Sequence, residues 1–191
     1  SSFSPKRRPR PLENWPPENF EDIASDDGDI ITGQFVFQGN LYLFKHDRIY
    51  VLPFVDDPAN LQIVPLAPGI GVVSSSIYEA AHGSVYFVSE QGFYRYDGAF
   101  QKISDPIDPT FRALRQDRLF AVKVAENQRF QEIWFACTSA TGTANDTILA
   151  YSYRLSTPEK PVWFRYTGIT AESLATVESL TTDLPLIFHG N

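Results

Sequence analysis

The chain has 191 residues, a net charge of −7, 43% hydrophobic and 14% aromatic residues, and a single cysteine. That apolar content suffices for a buried core and excludes a disordered polymer. No run of 18 apolar residues exists, so no membrane-spanning helix is expected, and Cys137 alone excludes an intramolecular disulfide.

Residues 1–28 form an expected arm. Pro5, Pro9, Pro11, Pro16 and Pro17 deny ladder hydrogen bonds and keep the backbone extended. The first ten residues hold Lys6, Arg7, Arg8 and Arg10 and no acid, so the rest of the chain is more acidic than the total. An acidic body repels phosphate and argues against a nucleic-acid grip by the folded part. The basic arm is a candidate for contact with phosphate or an acidic partner, set against a solvated tail. Trp15 and Phe20 interrupt the arm's polarity and are expected to dock on the domain or on a neighbour. The basic start lacks the apolar segment of a signal peptide. The chain contains no Met, even at position 1, so a processed or excised piece is expected.

From residue 29 the pattern is all-β. Strands are expected at 30–37, 40–45, 48–53 and 61–66, with turns at Gln38-Gly39-Asn40, His46-Asp47 and Asp56-Asp57-Pro58. The stretch GNLYLFKHDRIYVL from Gly39 returns 44 positions later, without a gap, as GSVYFVSEQGFYRY from Gly83. Gly39 falls on Gly83, Tyr42 on Tyr86, Leu43 on Phe87, Ile49 on Phe93 and Tyr50 on Tyr94. A hairpin unit recurring every 40–45 residues or so is the spacing of β-propeller blades. Both faces of these strands are apolar, as sheets sandwiched between neighbours require.

The second unit predicts strands at 75–80, 84–89, 92–96 and 100–104. A short helix over 109–115 follows, with Asp108 as N-cap and Pro109 at the first helical position. The third unit predicts strands at 118–125, 132–138, 147–153 and 162–166, with Trp134 in the place of Tyr86 but 48 residues on. Strands at 172–180 and 185–188 begin a fourth. The expected organisation is an arm (1–28) and propeller blades at 29–68, 69–104 and 117–167, with a partial blade at 171–191. Three and a half blades leave an unpaired edge, so a larger propeller, or completion by a second chain, is expected.

The chemical motifs are weak. Asp26-Asp27-Gly28-Asp29 lacks the bidentate Glu of a calcium loop and is expected to be a capped turn. Gly69-Ile70-Gly71 leads into Val72-Val73, not a helix, and lacks the third glycine of a dinucleotide site. Ser74-Ser75-Ser76 has no flanking glycines of a nucleophile elbow. His46, His82 and His189 never reach metal-ligand spacing, and the first two are expected to cap turns. Ser89-Glu90-Gln91-Gly92 is similar to a sialidase Asp-box, but Gln stands where the Asp belongs. Asn145-Asp146-Thr147 has the pattern of a glycosylation acceptor and is expected to be an ordinary turn. No catalytic, metal or cofactor-binding residues are expected, and no enzymatic activity.

The runs DDGDIITGQFVFQGNLYLFKHDRIYVL, GIGVVSSSIYEAAHGSVYFVSEQGFYRYDG and NDTILAYSYRL together resemble the β-propeller proteins of tailed, especially short-tailed, bacteriophages. Such proteins form the tail tube, nozzle or head–tail connector. The likeness spans about residues 26–155 and consists of a rhythm of strands and turns. It implies a structural virion subunit made in the host cytoplasm, assembled as a ring-shaped homo-oligomer, with a hexamer expected. It also implies contacts with other tail, portal or adaptor proteins around a channel through which DNA passes without sequence-specific binding. Lys6, Arg7, Arg8, Arg10, Trp15 and Phe20 are the expected partner contacts. The alternative is a binding module for a host-surface glycan or a protein, marked by aromatic loop tips such as Tyr78 or Trp163. A propeller hydrolase ranks last, because no acid, base and nucleophile assemble from the motifs.

Overall fold

Period-two alternation and short polar turns resolve into antiparallel meanders, in which each strand pairs with the next in sequence. A computed structural model of the protein describes residues 28–54, 62–80, 82–177 and 186–190. The first sheet holds β1 (Ile31–Phe37), β2 (Asn40–Lys45), β3 (Arg48–Leu52) and β4 (Val64–Pro68). The second holds β5 (Tyr78–Ala80), β6 (Ser84–Ser89), β7 (Gly92–Tyr96) and β8 (Phe100–Lys102). The third holds β9 (Lys123–Asn127), β10 (Glu132–Cys137), β11 (Thr147–Ser152) and β12 (Trp163–Thr167). A further pair joins β13 (Ser173–Val177) to β14 (Leu186–Gly190). The chain is therefore mainly β.

The internal repeat holds at the level of register. Leu43 pairs with Tyr50 in the first sheet, and Phe87 with Tyr94 in the second. Phe44–Ile49 and Val88–Phe93 correspond in the same way. The β1–β2 turn places Gln38 at φ +49 and Gly39 at φ +80, the two positive angles that a two-residue hairpin loop needs to match strand twist.

Alternation sends opposite faces into different cores. On β6, Val85 and Phe87 join Phe37, Tyr42, Phe44 and Ile49 of the first sheet. Tyr86 and Val88 instead join Ile133, Phe135, Leu149 and Tyr151 of the third. Ala136 and Ile148, with half-buried Trp134 and Tyr166, meet Ala171 and Leu174 on the third sheet's other face. Each core thus lies between consecutive sheets, as the two-faced apolar strands require.

The connector to the third sheet departs from expectation. Helix α1 (Asp108–Arg112) is shorter than 109–115 and is flanked by 3-10 turns at Asp105–Ile107 and Gln116–Ala121. The strand expected from 118 begins at Lys123. Phe111, Leu114, Leu119 and Val122 enter the core along this connector, so apolar spacing that resembles a strand serves a helical segment. Asp108 is not the N-cap; Ile107 is, and no side chain caps it. The Asp108 carboxylate instead receives Arg112 Nε at 2.7 Å and Lys102 Nζ at 3.2 Å. The second unit's first strand is limited to Tyr78–Ala80 because Ser74 and Ser76 divert the preceding chain to other partners.

Candidate functional site

The expected partner contacts Lys6, Arg7, Arg8, Arg10, Trp15 and Phe20 lie outside the described residues, as do Asp26 and Asp27. Asp29 does cap a turn, but a remote one. Its carboxylate accepts from Ile30 N at 2.8 Å and from His46 N and Asp47 N at 3.1 Å, holding the β2–β3 turn. Burial raises its pKa, and the hydrogen bonds from Asp47, His46 and Ile30 outweigh that and hold it below the ordinary carboxylate value.

The other motifs are spent on backbone. A Cβ on Gly71 would stand 1.7 Å from the carbonyl oxygen of His46, so this glycine serves close approach. Ser74 Oγ donates to Val122 O at 2.7 Å, and Ser76 Oγ accepts from Val124 N at 2.8 Å. Gln91 donates to Gly69 O at 2.8 Å, tying the β6–β7 turn to the preceding connector. Asn145 is fully buried, donating to Ala121 O and accepting from Thr138 Oγ1, so its amide is no exposed acceptor for a glycan. Neither expected aromatic tip is one. Tyr78 is a half-buried residue of β5, and Trp163 of β12 donates to Ile103 O at 2.9 Å and packs on Phe93, Phe135 and Tyr151.

A polar cluster forms where β5, β9 and β13 approach one another. Glu126, near the end of β9, is buried at 1% exposure. Its carboxylate accepts from Tyr153 OH at 2.8 Å and Gln128 Nε2 at 3.2 Å. His82, in the turn before β6, faces it with Nδ1 at 4.0 Å and shares a 2.9 Å hydrogen bond between Nε2 and Tyr86 OH. The imidazole also lies 4.2 Å from the Tyr153 ring centroid. Thr176 of β13 donates to Glu126 O at 2.7 Å and accepts from Tyr78 OH at 3.3 Å. His82 therefore packs in an aromatic and acidic cluster rather than capping a turn.

Electrostatics sort the cluster. Desolvation lowers the His82 pKa; the Glu126 carboxylate opposes that only in part, and Arg95 adds to the lowering. Burial raises the hydroxyls of Tyr86 and Tyr153 above the ordinary tyrosine range, with Glu126 reinforcing the latter. Near neutral pH the His82 imidazole is thus neutral and the Tyr86 and Tyr153 phenols keep their protons. Through these internal partners the cluster joins three sheets. Complete burial pushes the Cys137 thiol pKa up, which disfavours the thiolate.

Sequence reasoning did not connect these residues. The available signal was Glu126, an acid on a strand whose neighbours Val124 and Ala125 are apolar; its partners lie 44 and 27 positions away in His82 and Tyr153. A separate groove of about 490 Å³ runs between α1 and the 139–141 loop, with Arg165 and Thr147 on its wall. Among the described residues no group of three or more His, Cys, Asp or Glu is placed to hold a metal ion, and no helix is long and apolar enough to cross a membrane. Neither protein-family models nor curated protein sequences give a match to this chain.

Proposed function

We propose that this chain is a structural assembly subunit: a sector of a β-propeller working in the tail of a tailed bacteriophage, as tube, nozzle or head–tail connector. One observation carries the propeller. β9 lies against both β5 and β13, and the Tyr78–Thr176–Glu126 chain of hydrogen bonds ties all three together. These are the first strands of consecutive sheets. Gathering first strands while later strands step outward is the radial plan of blades about an axis. The cores shared between consecutive sheets agree with it.

The tail assignment rests on the resemblance of residues 26–155 to phage propeller proteins and on the chemistry of the chain. A net charge of −7 suits a channel wall past which DNA slides without being held. The polar cluster spends its donors and acceptors on joining sheets, which suits a scaffold. In this role the chain works as a ring-shaped homo-oligomer, a hexamer, in contact with other tail or portal proteins, and needs no cofactor.

Light scattering with negative-stain imaging of the purified protein tests this. A ring of several copies is expected; a monomer at high concentration would overturn the assembly role. A second reading is favoured by the groove beside Arg165, whose Thr110, Ser139, Thr141 and Thr147 hydroxyls suit a saccharide. Glycan-array binding by a monomer would establish that binding module in its place.

A further inference from the structure

Three of the exposed large hydrophobic side chains meet at one end of the third sheet. Phe130 in the β9–β10 turn is 53% exposed, Leu155 after β11 is 49% exposed, and Phe164 on β12 is 41% exposed. They line one groove of about 180 Å³, room for a single aromatic ring, together with Arg129 and Arg154. The Arg129 guanidinium lies over the Phe130 ring at 5.7 Å. The carboxyl in the groove wall, Glu132, is turned away to Trp134 Nε1 at 2.9 Å and Tyr166 OH at 3.2 Å. Exposed aromatics flanked by arginine are the composition of an interface core, not of ordinary surface.

We infer that this groove receives residues 13–22 of a second copy of the chain. That segment, ENWPPENFED, carries Glu13, Glu18, Glu21 and Asp22 with no base, and places Trp15 and Phe20 among them. Its acids complement Arg129 and Arg154, and one of its aromatic rings fills the apolar floor. Pro16 and Pro17 favour an extended backbone, which loses little freedom on docking. The stretch from Trp15 to Gly28, extended at ~3.1 Å per residue, spans ~40 Å, enough to reach a neighbouring protomer. The inference rests on the assembly role proposed above and supplies its contact.

Charge exchange in the full chain tests it. Arg129→Glu/Arg154→Glu and Glu18→Arg/Glu21→Arg variants are each expected to lower the assembled fraction in light scattering at least tenfold. Mixing the two is expected to restore the oligomer, because the unchanged arm of one variant then meets the unchanged groove of the other, and the two sets of exchanged charges face each other. Salt up to ~1 M should weaken wild-type assembly in the same direction. Circular dichroism of both variants checks that the fold is retained. If wild type assembles and both variants assemble equally well, the docking is overturned while the assembly role stands. Loss of the oligomer only on Phe164→Asp, with no effect of Glu18→Arg/Glu21→Arg, also overturns it and marks the face as a seat for strands extending the β13–β14 sheet. Loss of thermal stability without change of mass means the arm docks on its own chain, which overturns the second copy. A wild-type monomer overturns both proposals.

Discussion

The hydroxyls of Tyr42 and Tyr96 meet at 3.1 Å, joining the first sheet to the second across 54 positions of sequence, with ring centroids 5.4 Å apart and edge-to-face. Both side chains are buried, at 6% exposure each. Burial raises the Tyr96 phenol, and its hydrogen bond with Tyr42 adds to that, so the Tyr96 hydroxyl keeps its proton. Tyr42 sits at the repeat position shared with Tyr86, whose ring lies 5.9 Å from Tyr151 of the third sheet. The repeated aromatic thus performs one task twice: it joins its own sheet to the following one.

Tyr96→Phe removes one hydroxyl and leaves its buried partner without a bond. A loss of about 1–2 kcal/mol is expected in urea unfolding. The double variant Tyr42→Phe/Tyr96→Phe is expected to cost less than the sum of the two singles, because no orphaned hydroxyl remains. Strict additivity in this cycle would show that the hydrogen bond contributes nothing.

Two glycines separate steric from torsional constraint. Gly71→Ala drives a methyl group into the His46 carbonyl, at 1.7 Å, and backbone on both sides must shift. It is expected to cost more than ~2 kcal/mol. Gly39→Ala meets nothing within 4 Å, but its φ of +80 costs an L-residue about 1–2 kcal/mol. Thermal unfolding should rank Gly71→Ala as the more damaging; the reverse order would contradict the close approach of the connector to the β2–β3 turn.

His82 makes stability depend on pH. The unfolded imidazole titrates near its ordinary value of 6.5 and the folded one below it, since desolvation lowers its pKa. Between those values the unfolded state binds more protons, so stability is full above about pH 6.5 and falls as pH drops through the folded value. His82→Gln should remove this component, leaving a flatter curve of unfolding free energy between pH 7.5 and the folded pKa. Equal slopes for wild type and variant would exclude the effect, and a proton titration of the imidazole by NMR locates the folded value directly.

Phe93 is the hub of the larger core. It is fully buried, with ring centroids of Phe135 at 4.3 Å, Phe111 at 5.1 Å and Trp163 at 5.5 Å. Phe93→Ala is expected to cost about 3–5 kcal/mol, through lost transfer energy and the cavity left between two sheets. Val36→Ser, at a side chain 61% exposed, should change stability by less than about 0.5 kcal/mol. Denaturant midpoints of the two variants check the contrast.

The sequence alone determined the strands that close locally. Period-two alternation and the 44-residue echo place β2, β3, β6 and β7 within a residue of their bounds, because a hairpin is specified by its own turn and its own two faces. It also determined that both faces of β6 would be buried. Tertiary structure decided the rest. The 3-10 turn at Gln116–Ala121 replaces the start of the strand expected from 118, because Leu119 and Val122 reach the core from this turn. Ser74, Ser76 and Asn145 read as loose polar turns until the backbone groups they satisfy arrive from 48, 48 and 24 positions away. His82 and Glu126, 44 positions apart, face each other only after β5 and β9 have come together. Hydrophobic period is a local property and is written in each strand. The partner of a buried polar atom is fixed by which sheets stack, and no local pattern encodes that.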